Sequence, residues 1–172
     1  DPANSTILIE EYLPGREVAV EGVLINGVFR EFAMFDKPDL LEGPFFEETI
    51  YVTPSRSIDR TQQRIRQAVS DASDALGLTN GPVHAECRIS SDDVFVLEIA
   101  PRPIGGLCAR ALRFFGRDGE TVSLENLLLR HAMGEQITDY RREEKASGVM
   151  MIPIPAEGLY KRVNGLDLAR AV

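Results

Sequence analysis

Two glutamates on neighbouring predicted strands are the residues of this chain best suited to chemistry. The segment from Val83 to Ile89 alternates apolar and polar side chains, and turn-forming residues at 90–93 separate it from a second apolar run. Glu98 is the carboxylate of that run, and pairing of the two strands about the turn brings it close to opposite Glu86. Like charges across a ladder repel, whereas Mg²⁺ prefers carboxylate oxygens and would compensate them. The pattern therefore predicts a magnesium site at this pair.

An arginine follows the pair on the same predicted strand. Arg102 lies four residues beyond Glu98, so the two side chains share a face if the chain stays extended. A guanidinium at this position suits recognition of a phosphate or a carboxylate. The alternative interpretation is a solvated sheet face on which charged side chains bind nothing.

Several motifs resemble the ATP-grasp ligase superfamily, which includes biotin carboxylase, carbamoyl-phosphate synthetase and L-amino-acid ligases. They are ILIEEYLPGREVAVEGVL at 7–24, ECR at 86–88 and LEIAPRPIGG at 97–106, and they cover about residues 5–110. The segments GVMMIPIPAEG at 148–158 and VNGLDLARAV at 163–172 resemble the start of the C-terminal module of the L-amino-acid-ligase branch. The order and spacing of these motifs make the resemblance specific.

The resemblance implies roles for the acidic pair and the arginine. Glu86 and Glu98 would bind Mg²⁺ or Mn²⁺, and Arg102 would contact the transferring phosphate or an acyl-phosphate intermediate. The family pattern has an asparagine two residues after the second glutamate, whereas this chain has Ala100. Whether one or two metal ions bind is therefore left open.

ATP is the nucleotide that the resemblance implies. Its adenine would bind the segment Glu10, Glu11, Tyr12 and Leu13, where the backbone contacts the base edge and Leu13 packs on the ring. Glu17 would accept hydrogen bonds from the ribose hydroxyls. In the alternative interpretation the glutamates are solvated charges and Leu13 belongs to the core.

The composition is that of an ordinary globular domain and excludes several partners. The chain has 172 residues, 44% apolar and 27% charged, with a formal net charge of −8. The acidic balance argues against a nucleic-acid partner, and no apolar run reaches the length of a membrane span. Two cysteines, Cys87 and Cys108, make no disulfide framework, so we expect a reducing, cytoplasmic setting.

The elements that position these residues form an α+β arrangement. Apolar alternation predicts strands at 17–25 and 28–35 around a hairpin turn at Asn26-Gly27, followed by a long loop at 36–49 in which Lys37 is exposed. Helical spacing predicts a helix at 58–76. A Gly-Gly turn predicts the start of a second helix at 105–115, and a capping Ser123 with a terminating Gly134 predicts a third at 123–133. A mostly antiparallel sheet packed on helices follows, and this agrees with the C-terminal half of an ATP-grasp fold.

The resemblance also divides the chain and implies missing parts. Residues 1–146 would be the C-terminal part of an ATP-grasp domain, and residues 147–172 would begin a C-terminal module. In this superfamily a glycine-rich loop and lysines that hold the phosphates come earlier, and none precedes Ile7. We therefore expect the missing N-terminal lobes in the same full-length chain, and little activity from these residues alone.

The resemblance implies an enzyme that forms a C–N bond. It would be an ATP-dependent ligase of the amino-acid or dipeptide type, joining a small-molecule carboxylate to an amine through an acyl phosphate. One alternative is an enzyme that acts on bicarbonate, for which Lys37 and Arg102 are a thin supply of basic residues. Another is a non-catalytic nucleotide-binding module, which Ala100 favours. The identities of the acid and the amine are left open.

Overall fold

A computed structural model of the chain describes residues 7–39, 48–91, 93–154 and 156–171. Its strands are β1 (Arg16–Ile25), β2 (Val28–Asp36), β3 (Ile50–Thr53), β4 (Gly81–Ser90), β5 (Asp93–Ala100), β6 (Arg113–Phe115), β7 (Thr121–Ser123), β8 (Arg141–Arg142) and β9 (Ser147–Met150). Its α-helices are α1 (Asp59–Ala75), α2 (Leu124–Ala132) and α3 (Leu166–Arg170). Residues 40–47 of the predicted loop lie outside the described residues.

The strands form two antiparallel sheets. The larger has six strands in the order β5-β4-β1-β2-β3-β9, and the smaller has three in the order β7-β6-β8. The predicted turn at Asn26-Gly27 joins β1 to β2, and both residues have the positive φ, 51° and 81°, that two-residue hairpin turns use. Strand β1 is central and is buried at eight of its ten positions. A charged residue on β1 therefore needs a partner inside the protein.

Helix α1 covers one face of the larger sheet. Ile65 and Val69 lie one turn apart and are fully buried. They belong to a core cluster with residues of β1, β2 and β4, which are Val18, Val20, Leu24, Met34, Val83, Ala85, Cys87 and Ile89. Burial of the two helix side chains contributes about 1.5–3 kcal/mol each. Gly77, with φ of 71°, follows the end of the helix, and the helix predicted at 58–76 is confirmed.

The smaller sheet and the segment before it pack on the opposite face. Phe32 of β2 meets Phe114 of β6 edge to face, with ring centroids 5.3 Å apart. Further buried members of this cluster come from 104–112 and α2, and they are Ile104, Cys108, Ala109, Leu112, Leu124 and Leu127. This packing brings residues 104–106 over the polar part of the sheet face, where side chains of β4 line a common cavity with them.

The helix predicted at 105–115 is wrong. The structure has a turn at residues 106–107, a single 3-10 turn at Cys108–Ala111, and then β6. Phe114 is buried whereas both of its neighbours point outwards, which is the alternation of a strand. Pairing of β6 with β7 and β8 therefore decides the structure of this segment, and the Gly-Gly turn does not start a helix.

The remaining elements agree with the α+β prediction, which is confirmed. The helix predicted at 123–133 is α2, and its first turn is capped because the hydroxyl of Ser123 accepts a hydrogen bond from the Asn126 amide at 3.3 Å. Both cysteines are free and buried. Each described helix falls short of the length or apolarity that a bilayer crossing needs. Strand β9 pairs with β3 at the sheet edge, and the division of the chain at residue 147 stays a prediction.

Candidate functional site

Glu86 and Glu98 are direct partners across the β4–β5 ladder, as the sequence predicts. The pairing depends on a one-residue shift in register. Cys87 pairs with Val96, so an unbroken ladder would put Leu97 opposite Glu86, but the register shifts between Glu86 and Cys87 as in a β-bulge. The shift also changes which face β5 presents. Val94 and Val96 pack towards α1 before it and Ile99 packs there after it, so Glu98 faces away from α1.

The two carboxylates have different surroundings. Glu86 is largely buried, and its Oε1 lies 2.9 Å from Lys37 Nζ and 3.7 Å from His84 Nε2. Glu98 is exposed and, within the described residues, takes part in no hydrogen bond or ion pair. The pair therefore joins one fixed, charge-compensated carboxylate to one that is free to accept a cation. Both are the hard oxygen donors that Mg²⁺ prefers.

Lys37 is buried, not an exposed loop residue, and that prediction is wrong. It follows β2 directly, and its Nζ contacts the Oε1 atoms of Glu17 at 2.6 Å, Glu86 at 2.9 Å and Glu48. Burial alone would lower the pKa of Lys37, but the three carboxylates more than offset it and raise the pKa above its ordinary value. The ammonium therefore stays charged at the centre of the acidic group.

These same three glutamates form the group of acidic side chains, among the described residues, that is compact enough to share one ion. One carboxylate oxygen from each lies within 4.8 Å of the others. In the structure the cation between them is the Lys37 ammonium. Glu98 is not a member of the group, so the predicted metal pair and this lysine-centred cluster share only Glu86.

His84 connects the cluster to a second buried carboxylate. Its Nδ1 lies 3.5 Å from Glu21 Oε2 and its Nε2 lies 3.7 Å from Glu86 Oε1. Burial lowers the pKa of His84, but the two glutamates outweigh burial and raise the pKa to about 9. His84 in turn lowers the pKa of Glu86, which burial raises and Lys37 lowers further, to about 2. At neutral pH the pair is thus an imidazolium beside a carboxylate.

Glu21 attaches the Arg102 segment to the sheet. It is fully buried, and its Oε2 accepts a hydrogen bond from the Ile104 amide at 3.0 Å. Burial raises the pKa of Glu21, and His84, Ile104 and Arg102 act in the opposite direction. Glu21 Oε1 and His84 Nδ1 belong to the buried polar atoms of the described residues that have no hydrogen-bond partner. The segment that carries Arg102 is therefore held by a side chain from the central strand.

Arg102 borders the same cavity as Glu86. The cavity has a volume of about 200 Å³, and its lining includes Glu48, His84 and the glycine pair 105–106 as well. The guanidinium of Arg102 donates to the Pro103 carbonyl at 3.1 Å and makes no ion pair within the described part of the chain. Acidic side chains and the guanidinium of Arg102 thus line the same cavity. Glu98 does not line this cavity.

The predicted adenine-binding segment lies outside the helices and strands. Glu10 and Glu11 are exposed, Tyr12 is 56% exposed and Leu13 is partly buried. The predicted ribose contact, Glu17, is buried, and both of its oxygens are engaged by cations, Oε1 by Lys37 and Oε2 by Arg88. The roles of these residues stay predictions, and a ribose hydroxyl at Glu17 would have to share an oxygen with a cation.

Four charged residues of the site were missed or undervalued at the level of sequence. They are Glu21, Lys37, Glu48 and Arg88. A usable signal existed for two of them. Glu21 has the same parity as Glu17 on a strand that is otherwise apolar, and Lys37 continues the parity of Ala33 and Phe35 one residue past the end of β2.

The chain matches a known domain family and is similar to several ligases. A family model described as the ATP-grasp domain matches residues 2–111. The alanine–anticapsin ligases of Bacillus amyloliquefaciens and Bacillus subtilis are 29% and 28% identical to this chain over 112 residues, which are 64% of the chain. The chain spans only 23% of the length of these relatives.

Solved structures give the same picture of the fold. An L-amino acid ligase from Bacillus licheniformis superposes with a TM-score of 0.74 and 26% identity, covering 94% of this chain and 41% of the ligase. A phosphoribosylglycinamide synthetase from Anaerococcus prevotii superposes with a TM-score of 0.66 and 16% identity, covering 83% of this chain and 36% of the synthetase. At that identity the second likeness concerns the fold alone.

Proposed function

The chain belongs to the ATP-grasp domain family, and from this premise we propose that it forms the metal- and phosphate-binding part of an ATP-dependent ligase. The ligase would join a carboxylate to an amine. The names of the similar ligases favour an amino acid as one substrate, since they concern alanine, anticapsin and L-amino acids. The chain covers 41% of the similar ligase structure, so the activity proposed is that of a longer protein.

The register of Glu86 with Glu98 is the observation that carries the proposal. A cross-strand pair of like charges is destabilising by itself, and it becomes favourable when a divalent cation and its phosphates bind between the carboxylates. The donor set fits Mg²⁺ or Mn²⁺, because both side chains present carboxylate oxygens on one sheet face. Ala100 is buried opposite His84 and adds no side-chain oxygen, so the proposal needs only one ion at this pair.

The proposed reaction must overcome repulsion between anions. The acid attacks the γ-phosphate of ATP to give an acyl phosphate and ADP, and the amine then displaces phosphate to form the amide. A bound divalent cation would neutralise phosphate charge during the first step. Arg102 would orient the acid or stabilise the acyl phosphate, since its guanidinium is not committed to another acid in the described residues.

Two observations bear on the competing functions. Lys37 is enclosed by three carboxylates, so Arg102 is the uncommitted cation of the cavity among the described residues, and this disfavours a site built for bicarbonate. Ala100, where the family pattern has asparagine, favours a nucleotide-binding module without catalysis. The nucleotide-binding module is therefore the alternative that the experiment has to distinguish from a ligase.

The test compares Glu98→Gln with wild type in the full-length protein that contains this sequence. Mg²⁺-dependent ADP release in the presence of an amino-acid mixture should fall by about a hundredfold or more, because one metal ligand loses its charge. Glu144→Gln, an exposed carboxylate on the loop before β9, is the matched control and should retain the rate of the wild type. An unchanged rate in Glu98→Gln would contradict the proposal. Nucleotide binding without turnover in wild type would favour the binding module.

A further inference from the structure

We propose that Arg88 is a positioning residue that holds the backbone at Leu13 in the orientation needed to bind the adenine base. The inference rests on the proposed function and on the adenine contact predicted for residues 10–13, and it extends them to a residue outside the metal pair. Arg88 lies on β4 two positions beyond Glu86, so it shares the face and the strand of that carboxylate. Its role would link the nucleotide-base segment to the metal-binding strand.

The guanidinium of Arg88 contacts both the segment at Leu13 and the neighbouring strand β1. Nη1 donates to the Leu13 carbonyl at 2.8 Å, and Nη2 donates to Oε2 of Glu17, its direct partner across the β1–β4 ladder. The guanidinium also lies 5.7 Å from the centroid of the Tyr12 ring, which is cation–π distance. The residue is 7% exposed. A planar guanidinium satisfies both acceptors at fixed angles, whereas a lysine ammonium at the same site is a point charge on a flexible stem.

The chain on either side of Leu13 reinforces this contact. Pro14 has a fixed φ and confines the residue before it to extended conformations. Gly15 has φ of 134°, and a Cβ there would lie 2.2 Å from the carbonyl oxygen of Ile89. The segment therefore passes directly against β4, and Arg88 reaches it from the neighbouring position of that strand. Holding the Leu13 carbonyl fixes the planar peptide group between Leu13 and Pro14, and the restriction that Pro14 places on Leu13 limits the peptide group before it as well.

Neutralising Glu17 is the competing explanation for the burial of Arg88. Glu17 is itself buried and has a second cation, Lys37, at 2.6 Å. If charge compensation were the whole role, removing the charge of Glu17 would make Arg88 dispensable. If the role is to hold Leu13, Arg88 stays necessary when Glu17 is neutral.

The experiment uses the full-length protein with Arg88→Lys, Arg88→Met, Glu17→Gln and the double variant Arg88→Met/Glu17→Gln. Steady-state kinetics should show a KM for ATP raised about tenfold or more in both single arginine variants, with kcat within about threefold of wild type. The ratio of kcat/KM for ATP over GTP should fall, because a loosely held backbone no longer discriminates the base edge. Arg117→Met, an exposed arginine paired with Asp139, is the control and should leave both quantities unchanged.

The double variant decides between the two roles. We expect the tenfold effect of Arg88→Met on KM to persist in the Glu17→Gln background, and its disappearance would overturn the inference. A wild-type KM and ATP/GTP ratio in Arg88→Lys would overturn it as well, with a melting temperature measured alongside to show that the variant is folded. Absence of Mg·ATP-dependent turnover in wild type would instead overturn the proposed function.

Discussion

Replacing Lys37 by methionine tests the lysine-centred cluster most directly. The substitution keeps the length and much of the volume of the side chain and removes the ammonium from between Glu17, Glu48 and Glu86. Breaking a buried ion pair by removing one partner costs about 3–5 kcal/mol. Glu17 keeps Arg88, Glu86 keeps His84, and Glu48 is accessible enough to regain water. We therefore expect the lower end, a loss of about 3 kcal/mol in unfolding free energy at neutral pH.

The loss should depend on pH. In wild type Lys37 acts with His84 to lower the pKa of Glu86 to about 2, and a carboxylate whose pKa is lowered on folding contributes stability above its ordinary value of 4.5 that is lost as the pH falls. Without the ammonium this contribution is smaller. The difference from wild type should therefore shrink as the pH falls from about 4.5 towards about 2. Mn²⁺ without nucleotide should restore part of the stability, because the three oxygens can share an ion.

Denaturant unfolding monitored by circular dichroism at several pH values measures this difference. Lys145→Met is the control, since that side chain is 85% exposed and its nearest acid lies 3.9 Å away, and it should change stability by less than about 0.5 kcal/mol. A deficit below about 1 kcal/mol in Lys37→Met, or one that does not shrink as the pH falls below about 4.5, would refute the reasoning.

Two further predictions concern single residues. His84 has a folded pKa of about 9 against an ordinary 6.5, so it contributes stability that is complete below about pH 6.5 and is lost as the pH rises through 9. The melting temperature of wild type should therefore decline over that pH range, and that of His84→Asn should decline less. Parallel curves for the two proteins would contradict this. Gly15→Ala should destabilise the protein by about 3 kcal/mol, because its Cβ would meet the Ile89 carbonyl at a strained φ. Gly158→Ala, where nothing lies within 4 Å, is the control, and equal melting temperatures for the two variants would argue against the close approach.

Local patterns were sufficient for the hairpins and for two of the helices. Asn26-Gly27 encodes its own turn, because both residues tolerate positive φ, and the turn sets the register of β1 with β2. The spacing of Ile65 and Val69 likewise encodes the apolar side of α1. The segment at 105–115 shows the limit of such patterns, since β6 forms by pairing with strand residues six and more positions away.

The candidate site was predictable where its residues share a hairpin and not where they meet across the fold. Glu86 and Glu98 are joined by a short turn, so counting residues brings them together. Lys37 stands between Asp36 and Pro38, and nothing in that neighbourhood indicates burial. Its position follows from β1 and β4, which bring Glu17 and Glu86 to it from distances of 20 and 49 residues along the chain.

Because of the register shift on β5, this hairpin can lose one residue without changing which side chains face α1. Leu97 is the residue without a counterpart on β4, and its side chain is 42% exposed. A chain lacking Leu97 would run from Val96 straight into Glu98 and would keep every other side chain on its present side. A chain lacking Val96 instead would lose a buried contact with α1. Spacings of eleven and twelve residues between the two carboxylates thus give the same cross-strand pair. In a diverged sequence, the valines that face the helix before the second carboxylate are the feature that identifies this pair.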